Sequence, residues 1–212
     1  MILFTLGREL AETGNRVIVT TTTMMAAYQV SEPISWSDDA VIVDAALEPG
    51  KPLWVATGRL PGKVTGPSPE AVDRLFAETA ADHVIVEADG ARSKSIKAPA
   101  EHEPAIPGGS TTVIVVIGAD AIGRPLRDVA HRPERVAVMA GLSCDDSLTV
   151  EAAAKVLLNP NGGLKGIPPK ARVTIAVTKV TPTNRQTAVN LSALVTQHPR
   201  IANVVLLDRA DL

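Results

Sequence analysis

The chain has 212 residues, 45% of them hydrophobic, which is enough for a sizeable buried core. Its formal net charge is −2 and its 21 basic residues are scattered, while aromatics make up 2%; a nucleic-acid face, which needs clustered cations or stacking platforms, is not expected. The single Cys144 excludes an internal disulfide and a CxxC metal knuckle, and reads as a small buried or partly exposed thiol. No apolar run approaches the roughly 20 residues of a membrane span. No basic start with a small-residue cleavage site is visible. A cytoplasmic protein without membrane contact is the expectation.

The first expected element is a helix, with Leu3, Leu6 and Leu10 on one face and Gly14 as its stop. RVIVT (16–20) then reads as a strand, followed by AVIVDA (40–45) and PLWVAT (52–57). The last two alternatively form a hairpin around EPGKP, within an insertion expected over 24–66. SPEAVDRLFAETA (68–80) has a Ser cap, a first-turn Pro and early acidic residues, the marks of a helix. HVIVEA (83–88) and TTVIVVIG (111–118) are strands; LTVEAAAKVLLN (148–159) is a Thr-capped helix. RVTIAVT (172–178), a helix within 181–199 that stops before Pro199, and NVVLLD (203–208) complete the pattern. Most strands are apolar throughout, as in parallel sheets buried on both faces, and they alternate with helices. The expectation is one doubly wound, mostly parallel α/β domain over 1–212. A βαβ domain normally places a strand before its first helix, so the sequence reads as if it begins one strand late.

Open α/β sheets bind ligands beyond the carboxyl ends of their strands. Those ends carry Thr20 to Thr23, Glu87 with Asp89 and Gly90, Gly118 to Asp120, and Thr178 with Lys179. Hydroxyls, carboxylates and a lysine on one edge suit a phosphate and a hard cation, since Mg²⁺ takes few protein oxygens and keeps waters. An apolar strand ending in Glu-x-Asp-Gly has the form of a Walker B element, and Gly90 would let the backbone pass close to a phosphate. The bland alternatives are good β sequence for the threonines and a turn former or helix cap for the aspartate. No GxxxxGK[ST] loop occurs. GGLKG (162–166) follows a helix and precedes a strand, the reverse of a phosphate loop, and reads equally as a helix-stop turn. Beyond Gly90, Arg92, Lys94, Lys97, His102 and Glu103 lie among Pro99, Pro104 and Pro107, either as a solvated loop or as a stiffened clamp on a ligand. His102 is suited to proton transfer near neutral pH. Arg132 in HRPE (131–134) reads either as a phosphate contact or as a helix entry.

VEADGARSKSIKAPAEHEPAIP (86–107) resembles the signature of the YqeC family. The resemblance continues through VTTTTMM (19–25), GRLPGKVTG (58–66), IGADAIGRPL (117–126), HRPE (131–134) and LLNPNGGLKGIPPKARV (157–173), so it covers nearly the whole chain. It implies a fold of the P-loop NTPase type and an accessory role in maturation or cofactor assembly of a selenium-dependent molybdenum hydroxylase, with Mg²⁺ and ATP or GTP as cofactors. Family members begin with a strand and a GAGGKT-type loop that lead into a helix like ILFTLGRELAETG (2–14); this sequence resembles a member without that first strand and Walker A loop. Thr178-Lys179-Val180-Thr181 stands where the family often shows an Asn-Lys-x-Asp-like run, without the carboxylate that would read guanine.

Carried over, the resemblance implies Mg²⁺ and phosphate roles for Thr21, Thr22, Glu87 and Asp89, with Gly90 and Lys179 beside the nucleotide. It implies nucleotide or substrate contacts for Arg92, Lys97, His102 and Glu103. Three functions fit: Mg-dependent NTP hydrolysis serving a hydroxylase client, a non-hydrolysing cofactor carrier or scaffold, and a small-molecule kinase with Lys97 and His102 on the acceptor.

Overall fold

A computed structural model describes residues 2–30 and 33–208, arranged as two compact units. The first comprises Met1–Gly90 with Ala105–Ser110, the second Ala91–Pro104 with Thr111–Leu212.

Unit 1 opens with helix α1 (Ile2–Glu12), which buries Leu3, Gly7 and Ala11, and the chain turns at Gly14 with φ +89°. Gly7 sits close enough to strand β1 (Val17–Thr21) that a Cβ there would stand 2.7 Å from Val19 Cγ2, so the helix packs tightly on the strand. After β2 (Met24–Ala26) and β3 (Ile34–Ser35), the segment expected as a strand at 40–45 is instead helix α2 (Ala40–Ala46). Asp39 decides this: its carboxylate accepts from Val41 N and Ile42 N, an N-cap that outweighs the β propensity of AVIV. Only Val43 of that run is buried, while Val41 is 79% exposed. The 40–57 hairpin therefore does not form. A hairpin does occur later, where β5 (Gly58–Leu60) pairs antiparallel with β6 (Lys63–Thr65) across Gly62 at φ +69°.

The main sheet of unit 1 runs β3-β4-β1-β7, all parallel, with β4 at Pro52–Val55 and β7 at His83–Glu87. Helix α3 (Pro69–Glu78) precedes β7, with Ser68 Oγ accepting from Ala71 N as expected. Two apolar clusters hold this unit, one around Leu3, Val19 and Trp54, the other around Ile18, Val55 and Leu75.

Unit 2 contains a three-stranded parallel sheet and one larger core. Strand β8 (Ile96–Lys97) leads to β9 (Thr112–Gly118), α4 (Leu126–Val129), β10 (Ala130–His131) and α5 (Pro133–Ala140). Then come α6 (Val150–Leu158), β11 (Arg172–Val180), α7 (Arg185–Val195) and β12 (Ile201–Asp208). The sheet order is β12-β11-β9, and a two-stranded ladder joins β10 to β8. Central β11 is buried through Val173, Ile175 and Val177 against Leu191 and Val195. Edge strand β9 differs from the expectation of two buried faces, since Ile114 and Val116 are exposed. The GGLKG turn ends α6: Cβ atoms at Gly162 and Gly163 would stand 2.4 Å from Val156 O and 2.3 Å from Leu157 O. Those two glycines are required by the backbone.

Candidate functional site

In unit 1, parallel pairing of β1 with β7 sets Thr21 opposite Glu87 at the carboxyl ends of both strands. The ends are stitched together by hydroxyls. Thr21 Oγ1 donates to Glu87 O at 2.9 Å and accepts from Thr23 N at 3.1 Å, while Thr22 N donates to Glu87 O at 3.1 Å. Thr22 Oγ1 donates to Ala105 O at 2.6 Å, and Ala105 N in turn donates to Ala88 O at 3.0 Å. The segment 105–110 is thus fastened beside the strand end that carries the carboxylates. Thr21 is 1% exposed; Thr22, Glu87 and Asp89 are half-buried and reach solvent.

A donated proton leaves a hydroxyl oxygen with lone pairs, so Thr22 can still face a cation. Glu87, Asp89 and Thr22 carry hard oxygens of the kind Mg²⁺ accepts while keeping waters and phosphate oxygens. Among the described residues no group of three or more His, Cys, Asp or Glu side chains gathers into a closed metal cage. A Cβ at Gly90 would meet Glu87 Oε1 at 3.7 Å, ordinary contact, so the protein's own atoms do not demand glycine there.

Unit 2 holds the other residues singled out in the sequence. Glu103 is the centre of an ion cluster. It takes Arg132 Nη1 at 2.6 Å and Nη2 at 3.2 Å in a two-pronged contact, Lys97 Nζ at 2.9 Å, and Ala100 N at 3.2 Å. The Lys97 and Glu103 side chains are only 7% and 14% exposed. Burial pushes the Glu103 carboxyl up, but the hydrogen bonds from Arg132, Lys97 and Ala100 N prevail and hold it well below the usual carboxylate range. His131 is held below its ordinary value by burial first, then by the charges of Arg132, Lys97 and Arg92. His102 is 79% exposed, with Nε2 3.9 Å from Glu103 Oε1. The loop is also tied by Lys165, whose Nζ donates to the carbonyls of Ala100 and Glu101. Arg132, at φ +60°, is the residue preceding the first turn of α5, so the helix-entry reading describes it and its guanidinium grips Glu103.

Lys179, at the end of β11, also adopts a left-handed φ of +54°. Its Nζ donates to Ser95 Oγ at 2.7 Å and lies 3.4 Å from Asp120 Oδ2. Asn184 holds this turn by donating from Nδ2 to Lys179 O and accepting from Thr181 N. Ser95 and Arg124 escaped the sequence reading. Ser95 lies in the charged loop and pairs backbone-to-backbone with Gly118, a non-local contact that periodicity does not signal.

Parallel sheets with chemistry at their carboxyl ends define an α/β protein compatible with a Rossmann- or P-loop-like architecture. The sequence model of a family described as "YqeC protein" matches residues 1–134, and the chain belongs to that YqeC family. It is 35% identical over 179 residues to a protein of Escherichia coli K12 named "Uncharacterized protein YqeC", covering 81% of this chain and 68% of that relative. No solved structure matches the chain. Among the described residues no helix is long and apolar enough to cross a membrane.

Proposed function

We propose that this YqeC-family protein binds a Mg-nucleotide, ATP or GTP, and uses it as an accessory factor in the maturation of a selenium-dependent molybdenum hydroxylase. The observation supporting this reading is the pairing of the β1 and β7 ends, where Thr22, Glu87 and Asp89 offer hard oxygens beside a fixed strand edge. In this role Asp89 and Glu87 hold the cation or its waters, and Mg²⁺, when bound, offsets charge on the β and γ phosphates. The carboxylate not on the metal orients the attacking water or acceptor. The structural commitments of Lys97 and Glu103 to each other favour a positioning role for that pair.

A second reading is a non-hydrolysing carrier or scaffold. It is favoured by the number of threonine hydroxyls at the strand ends already donated to carbonyls. Activation of the hydroxylase client by Glu87→Gln and Asp89→Asn variants separates the two. Under the nucleotide-driven reading each variant folds normally and activates the client at least about tenfold less, the loss of one transition-state contact worth about 1.4 kcal/mol. Full activation by both variants would establish the carrier reading instead.

A further inference from the structure

Four non-glycine residues in the described chain adopt positive φ: Arg92 at +48°, Ser93 at +63°, Arg132 at +60° and Lys179 at +54°. Three of them, Arg92, Ser93 and Lys179, line a single cleft of about 290 Å³ within unit 2. Left-handed backbone costs an L-residue roughly 1–2 kcal/mol, and such outliers persist where other contacts over-determine them, often at ligand sites. Here the loop and the strand end that carry the strain face one another across the same small space.

The cleft is electropositive. Arg92, Lys94, Arg124 and Lys179 outnumber Asp120 and Asp128 along its walls. Two of the cations are already used, because Lys179 meets Ser95 and Asp120, and Lys94 Nζ donates to Asp128 O at 2.8 Å. Arg92 and Arg124 are different: among the described residues neither guanidinium makes a hydrogen bond or ion pair, and both are exposed at the rim. Asp120 fixes the floor. One carboxylate oxygen faces Lys179, while Oδ1 is buried without a partner, pressed where a Cβ on Gly118 would come within 2.4 Å. A desolvated carboxylate oxygen of this kind costs about 1–3 kcal/mol.

We propose that this cleft binds a small phosphate-bearing molecule, with Arg92 and Arg124 as the phosphate forks and the Lys179–Asp120 pair beneath them. Guanidinium groups match phosphate oxygens two at a time, and a planar fork not already paired has no competing partner to surrender. The volume lies at the lower edge of small-molecule sites, which suits a single metabolite rather than a polymer. Asp128 on the wall opposes an anion, so the ligand sits toward the Arg92 and Arg124 side. The site is contained in unit 2 and does not rest on the metal-binding reading of Glu87 and Asp89.

The test is calorimetric titration of the intact chain with inorganic pyrophosphate in the absence of Mg²⁺. Saturable binding is expected, weakened about tenfold or more by Arg92→Gln and by Arg124→Gln. Arg172→Gln, an exposed arginine outside the cleft, should leave the affinity unchanged. No saturable binding, or equal weakening by Arg172→Gln, would overturn the proposal by showing only general attraction to basic surface. Saturable binding that neither Arg92→Gln nor Arg124→Gln weakens would place the pyrophosphate outside the cleft and overturn it as well.

Discussion

Glu103→Gln is expected to destabilise the protein by about 3–5 kcal/mol at pH 7, the range for removing one partner of a buried ion pair. The amide fills the same space but removes the negative charge that Lys97, 7% exposed, meets at 2.9 Å, and it weakens the two-pronged contact with Arg132. The pH dependence carries the sign. The Glu103 carboxyl is depressed in the folded protein, so its contribution is fully present above its unfolded value of about 4.3. It is lost as pH falls through the depressed folded value. Denaturation melts of the two proteins should therefore run a constant distance apart from pH 6 to 8 and converge below about pH 4. A gap under about 1 kcal/mol, or one that ignores acid, would show that the cluster is solvated rather than buried.

Gly66→Ala is the second large effect. An added Cβ would stand 1.7 Å from Thr21 O and 2.8 Å from Thr21 C, so the obstruction is backbone and cannot swing aside. Relief requires β1 to part from the segment after β6, where Thr57 Oγ1 donates to Gly66 O and Thr20 Oγ1 to Val55 O. A loss of about 3 kcal/mol is expected, at the upper end for overpacking. Gly62→Ala provides the comparison: nothing lies within 4 Å of its Cβ, and only its φ of +69° resists, so about 1 kcal/mol is expected. Equal melting temperatures for the two variants would refute the close approach of Gly66 to Thr21.

Much of the architecture was legible because it is written locally. The β-branched runs at 17–21, 83–87, 112–118 and 172–180 are strands, and the Ser68 and Thr149 caps start their helices. AVIVDA failed because its composition favours β while its structure is decided by one residue before it, Asp39, whose carboxylate caps two amides. The threonines and carboxylates of the β1 and β7 ends were visible for the same local reason, and parallel pairing places them side by side. What the sequence could not reveal was partnership at long range. Glu103 draws on Arg132, 29 positions away, and Lys179 on Ser95, 84 positions away. Periodicity has no memory over such distances, so a charged loop looked equally like a solvated one. The left-handed turns at Arg92, Ser93 and Lys179 were also hidden, because none carries the glycine that usually marks them.

The central claim is that the β1 and β7 strand ends hold a cation-bound nucleotide, and direct binding measurement tests it. Titrating the protein with ATP and with GTP, with and without Mg²⁺, should reveal binding that requires the metal for at least one of the two. Asp89→Asn should abolish that metal requirement and weaken binding about tenfold or more, as expected for losing a charged oxygen contact to the cation. Binding of equal strength with and without Mg²⁺, unchanged by Asp89→Asn, would contradict the account.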